Sequence, residues 1–206
     1  MILLGLPAHR TDNEEPGARQ ERIHIIADAI VDASQRATCA DAYASSDCVP
    51  VWPLSTIELS ALLVAQAYSE SRLAKNVHEG KCRAWECDPT RSAYTGQVRH
   101  RARSLWQIHR SSPVESEWEH MLGADLASTK AAAWAAAKLL SRGYRACGNI
   151  GGAISRYAGI DGCQWSEADK RSRFYAAVRE RVRRLEKPPQ PQVQKPKGAA
   201  TLASRR

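Results

Sequence analysis

The stretch from Ser55 to Ser71 constrains the chain most. It opens with Ser55-Thr56-Ile57-Glu58 and continues through Leu59, Leu62, Leu63, Val64 and Ala65 before closing on Glu70-Ser71. The opening reads as a capping box. A serine hydroxyl and a glutamate three residues on satisfy backbone N–H groups that the first helical turn leaves without partners. Leu54 and Leu59 can add the accompanying hydrophobic staple. The segment that follows is apolar nearly all round, and such a helix is buried. A carboxylate then stands at the end of a buried helix. Either it is a solvated helix-end glutamate, or it is kept dry for a purpose.

Around this helix the chain divides into three parts. Residues 1–45 form an N-terminal arm followed by an amphipathic helix. The arm, to Gln20, is broken by Pro7, Pro16 and Gly17, and from Glu21 to Thr38 the residues Ile23, Ile26, Ala27, Ile30 and Ala33 recur at helical spacing. Residues 46–186 form the main domain. Its polar stretch from Lys75 to Arg103 is a long loop of the kind that is usually functional or disordered. Ala124 to Leu140 is an alanine-rich helix expected to stop at Arg142-Gly143. A further helix begins near Gly148 and reaches Tyr157-Ala158-Gly159, and Ser166 opens the last one. Residues 187–206, starting Lys187-Pro188-Pro189, have the composition of a disordered Pro/Lys-rich tail. No strand pattern of any length is present. The expected class is all-α, α+β at most, with room for a small β-hairpin in 76–100.

Six cysteines fall into neighbouring pairs, Cys39/Cys48, Cys82/Cys87 and Cys147/Cys163. Such pairs suggest three local disulfides and an oxidising compartment, with free thiols as the alternative. No Cys-x-x-Cys and no histidine pair at ligand spacing occur, so neither a metal nor a cofactor is expected. The net charge of +8 favours an anionic partner, although it also serves solubility. A nucleic-acid partner would rest on charge alone and is not expected. No apolar run approaches the length of about 20 residues that spans a bilayer. Met1 to Pro7 is too short for the apolar region of a signal peptide and has no basic residues before it. The cysteines thus hint at export where no signal peptide is seen. Either a signal has been removed, or the protein reaches its compartment another way.

Four short motifs stand in order: Glu70-Ser71, Ser104-Leu105-Trp106-Gln107-Ile108, Tyr157-Ala158-Gly159 and Ser172-Arg173-Phe174-Tyr175. Each is weak alone. Together, over residues 55 to 185, they resemble the lysozyme-like superfamily. The nearest likeness is to the soluble lytic transglycosylases (the SLT domain), with goose-type lysozymes beside them. Those proteins carry a catalytic Glu-Ser at the end of a buried helix, a Gly-Leu-Met-Gln-Ile type motif, a Tyr-Asn-Ala-Gly motif and a Thr-x-x-Tyr-Val pattern. Here Ser104 stands for the Gly, Trp106 for the Met and Ala176 for the Val, and the Asn is missing.

The resemblance implies a lysozyme-like helical domain that cleaves the N-acetylmuramic acid–β-1,4–N-acetylglucosamine bond of peptidoglycan. Glu70 would be general acid and then general base, yielding 1,6-anhydro ends. Such an acid must still hold its proton near neutral pH. Burial and the partial negative charge of a helix C-terminus both favour the protonated carboxyl. Arg72 would oppose this unless it points away, as expected here. Substrate-binding roles fall to Ser71, Ser104, Trp106, Gln107, Tyr157 and Tyr175, with Trp106 offering a face to a sugar ring. Glu79 and Asp88 are candidates for a second carboxylate, which a hydrolytic goose-type lysozyme would need to activate water. The site of action would be the periplasm or cell wall, and the partners peptidoglycan glycan strands. The basic tail and the N-terminal helix, which the resemblance does not cover, also fit a component of a bacteriophage particle. Its partners would be other tail or ejection proteins, and the particle would deliver it.

Overall fold

A computed structural model describes residues 3–7, 13–92 and 94–186. It is mostly helical with two small antiparallel hairpins, the expected class. The long helices are α1 (Pro16–Thr38), α2 (Thr56–Ser71), α5 (Leu126–Cys147), α6 (Ile150–Tyr157) and α7 (Ser166–Glu186), with short turns of helix at α3 (Lys75–His78) and α4 (Glu115–Trp118). The expected tail at 187–206 lies outside the described residues.

Helix α2 forms as its sequence dictates. Ser55 Oγ accepts from the Glu58 N–H at 3.3 Å, and Glu58 Oε2 accepts from the Ser55 N–H at 3.2 Å. Leu59, Leu62 and Leu63 are fully buried. Each contributes about 1.5–3 kcal/mol through removal of apolar surface from water. Helix α2 packs between α1 and α7, while α5 packs on α1 and α6. Ala133, Ala135, Ala136 and Ala137 let α5 sit close to its neighbours.

Two helix boundaries differ from expectation for identifiable reasons. Helix α1 starts at Pro16 rather than Glu21, because Pro pre-sets the backbone angle of a first turn whose N–H would lack a partner anyway. The arm before it is tied down. Arg22, buried in α1, grips Glu14 through Nε at 2.9 Å and Nη2 at 2.7 Å. Helix α5 runs through Arg142-Gly143 to Cys147 and ends at Gly148, in the left-handed region at φ 72°. Gly143 is a packing residue instead. A Cβ there would lie 2.9 Å from the Ala153 carbonyl oxygen and 3.1 Å from the Ala153 Cα of α6.

Strands β1 (Pro89–Arg91) and β2 (Val98–His100) make a hairpin inside the 76–100 window. A second hairpin, β3 (Ala102–Arg103) with β4 (Ile108–His109), was not expected and encloses the Ser104–Gln107 motif. Its tight turn places Ser104 at φ 64° and Gln107 at φ 49°. The three disulfides join Cys39 to Cys48, Cys82 to Cys87 and Cys147 to Cys163. They staple, in turn, the loop after α1, the loop before β1, and the end of α5 to the approach to α7.

Candidate active site

A cavity of about 600 Å³ opens where the last turn of α2 meets the second hairpin, the end of α6 and the start of α7. Glu70, Asp88, Gln107, Tyr157, Trp165 and Arg171 line it.

Glu70 lies in the final turn of α2, and its side chain is 17% exposed. The turn that follows is unusual. Arg72 and Leu73, neither of them glycine, sit at φ 54° and 56°, a conformation that costs about 1–2 kcal/mol per residue. Several bonds hold it. Ser71 Oγ donates to the Ala67 carbonyl at 2.8 Å and accepts from the Leu73 N–H at 3.2 Å. Arg22 Nη1 of α1 donates to the Leu73 carbonyl at 2.8 Å. Arg72 itself is exposed and lies over the Tyr68 ring, 4.8 Å from its centroid.

The cation at Glu70 comes from elsewhere. Arg171 Nη1, on α7, forms an ion pair with Glu70 Oε1. The same nitrogen lies 3.4 Å from Gln66 Oε1, one turn earlier on α2, and the guanidinium carbon is 5.0 Å from the Trp165 ring centroid. A carboxyl that must hand over a proton cannot do so through the oxygen that Arg171 occupies.

Tyr157 donates from its hydroxyl to the Trp106 carbonyl at 2.6 Å. Burial pushes this phenol well above its ordinary range, and the neighbouring Glu70 charge adds to the effect while Arg171 opposes it. The phenol therefore stays neutral and serves as a fixed donor rather than a base. Elsewhere in the lining, the Cys82–Cys87 disulfide leads into a bend in which Cys87 and Asp88 have φ of 58° and 50°. The Asp88 carboxylate faces Arg101 at 2.9 Å and His109 at 3.6 Å. Gln107 is pinned by its own turn: its backbone N–H and its Nε2 both donate to the Ser104 carbonyl at 3.1 Å. Its amide oxygen takes no hydrogen bond from the described residues, so it can accept an N–H from a ligand.

The cavity thus brings together Glu70, Gln107, Tyr157 and Asp88 of the residues singled out from sequence. It does not include the others. Trp106 is fully buried and donates from Nε1 to the Leu63 carbonyl at 3.0 Å, so it pins the second hairpin to α2 and offers no face to a sugar. Ser104 is buried in the turn, with its hydroxyl accepting the Trp106 N–H. Ser71 is spent on the helix end. Tyr175 is buried farther along α7 with Arg179 above its ring. Glu79 pairs with Lys81 at 3.0 Å and Lys75 at 3.8 Å, away from the cavity. Among the described residues no cluster of His, Cys, Asp and Glu is arranged to hold a metal ion, and no helix is long and apolar enough to cross a membrane.

The charged and aromatic cavity residues that sequence reasoning does not single out are Arg171, Trp165, Arg156 and His109. Only Arg171 carried a signal, since it abuts the loosely matching Ser172 motif.

No family model, curated protein or solved structure matches the chain. The resemblance to lytic transglycosylases rests on the four sequence motifs alone.

Proposed function

We propose that the protein is a peptidoglycan-cleaving glycosidase, a lytic transglycosylase that uses Glu70 as its one acid/base. The observation that carries this reading is the placement of Glu70. It closes a buried helix, opens on a cleft of about 600 Å³, and shares that cleft with Gln107 and Tyr157 from the two downstream motifs. Glu70 would protonate the oxygen leaving from N-acetylmuramic acid. It would then take the proton of that sugar's C6 hydroxyl as the 1,6-anhydro ring closes, so no water is consumed. Gln107 has an amide oxygen suited to the N–H of an N-acetyl group. Tyr157 holds the floor of the cleft through its bond to the hairpin, and Trp165 supplies an aromatic edge.

A second reading has a specific observation behind it. Asp88 lines the same cleft, and a paired carboxylate that activates water is what a hydrolytic, goose-type lysozyme needs. Digests of purified wall glycan, read by mass spectrometry, separate the two. Anhydro ends support the transglycosylase and reducing ends the hydrolase. Glu70→Gln should abolish wall clearing in a zymogram, and undiminished clearing would sink both readings. Asp88→Asn should leave anhydro product intact under the first reading and remove activity under the second.

A further inference from the structure

We propose that Arg171 is the residue through which the cleft recognises a carboxylate on the glycan, and that it leaves Glu70 to do so. This deepens the reading of the cleft as a glycan site and rests on it.

The two carboxylates in the cavity are already paired. Asp88 has Arg101 and His109. Glu70 has Arg171. An acidic substituent entering this space needs a cation, and Arg171 is the one placed to move. Its other two contacts are uncharged: the Gln66 amide oxygen at 3.4 Å and the Trp165 ring at 5.0 Å. Both can keep the guanidinium in reach while its fork turns from one carboxylate to another. A planar guanidinium takes a carboxylate through two parallel N–H bonds, which a flexible ammonium cannot reproduce. A second cation, Arg156, lines the same cavity, with the exposed Asp161 3.6 Å away. It lowers the cost of bringing in negative charge.

The consequence is a coupling. The substrate carboxylate and Glu70 compete for one guanidinium, so binding of an acidic glycan and release of Glu70 are a single event. Linkage makes this reciprocal: whatever weakens the hold of Glu70 on Arg171 strengthens the binding of an acidic ligand. A neutral glycan of the same linkage leaves Glu70 paired, with its Oε1 held by Arg171. The cleft would thereby discriminate muramic-acid chains from chitin by charge.

The test is a binding comparison by calorimetry on the full chain, with three hexasaccharides. One is chitohexaose, which is neutral. One is an alternating N-acetylglucosamine/N-acetylmuramic acid chain with free lactyl carboxylates. The third carries stem peptides on those lactyl groups, so that its carboxylates lie on the peptide. Glu70→Gln should bind at least one acidic chain about tenfold tighter than the wild type, as expected for loss of a competing close charge pair, with chitohexaose unchanged. Whichever acidic chain responds identifies the source of the carboxylate. Arg171→Gln should bind all three alike, and Arg171→Lys should recover part of the preference. Arg171→Gln with wild-type preference, or Glu70→Gln with no gain for either acidic chain, would overturn the proposal. Cleavage of the same glycans by the wild type is read separately. Charge-dependent binding without product would remove the enzymatic reading and leave the role of Arg171 standing. Product without charge preference would do the reverse.

Discussion

His78 should make the protein lose stability on mild acidification. It lies in α3, just past the turn that follows Glu70, and only 3% of it is exposed. Its Nε2 is 2.8 Å from Thr129 Oγ1, while its Nδ1 is buried without a hydrogen-bond partner among the described residues. Burial pushes the imidazole from its ordinary 6.5 down to about 4, and the charge of Arg22 pushes the same way against Glu79, Glu14 and Asp125. The sign follows directly. Above pH 6.5 the ring is neutral in both folded and unfolded chains, and stability is at its full value. Between 6.5 and about 4 the unfolded chain takes up a proton that the folded chain refuses, so stability falls as pH falls. At pH 4.5 the loss attributable to this ring is about 2–3 kcal/mol, since each pH unit of displacement is worth a little over 1 kcal/mol. Urea melts of the wild type and His78→Gln at pH 7.5 and 4.5 measure it. Carboxylates titrating near the lower pH affect both proteins, so the difference between the two pH dependences isolates the histidine. Parallel loss in both proteins would refute the reasoning.

Three other substitutions test the architecture. Gly143→Ala should cost about 1–3 kcal/mol by pushing α6 off α5, measured as a lower urea midpoint; an unchanged midpoint would mean that the two helices part freely. Tyr157→Phe leaves the Trp106 carbonyl without its donor, at about 1–3 kcal/mol. Because this phenol stays neutral, the pH profile of wall clearing should keep its shape, and a lost limb would show that the phenol titrates. Cys82→Ser with Cys87→Ser should raise KM for wall glycan more than it lowers kcat, because the bend carrying Asp88 loosens while Glu70 is untouched. A selective fall in kcat would contradict that.

Much of the scaffold was legible in the chain because its signals are local. The capping box of α2 involves residues three apart, and the disulfides join cysteines that are neighbours in sequence. Glu70 stands out in the sequence by its place at the end of an apolar helix. Arg171 does not, because it crosses from another helix 101 residues away. Periodicity tells which face of α7 is buried, but not which long side chain bridges to α2. The burial of Trp106 is not legible in the sequence, because the left-handed Ser104 and Gln107 wind the motif into a tight turn that no alternation of apolar residues announces. Gly143 reads as a stop because a glycine that ends a helix and one that admits a neighbour look the same in sequence. Only the approach of Ala153 distinguishes them.

The bond from Arg22 to the Leu73 carbonyl bears on how the protein can be cut. The sequence invites a division after residue 45, with the first helix as an accessory. Yet Ile23, Ile26 and Ile30 of that helix fill the same core as Leu59 and Leu62. Arg22 also props the strained turn directly behind Glu70. A chain shortened to begin at Ser46 would keep every residue that lines the cleft and still lose the strut that sets where Glu70 ends up.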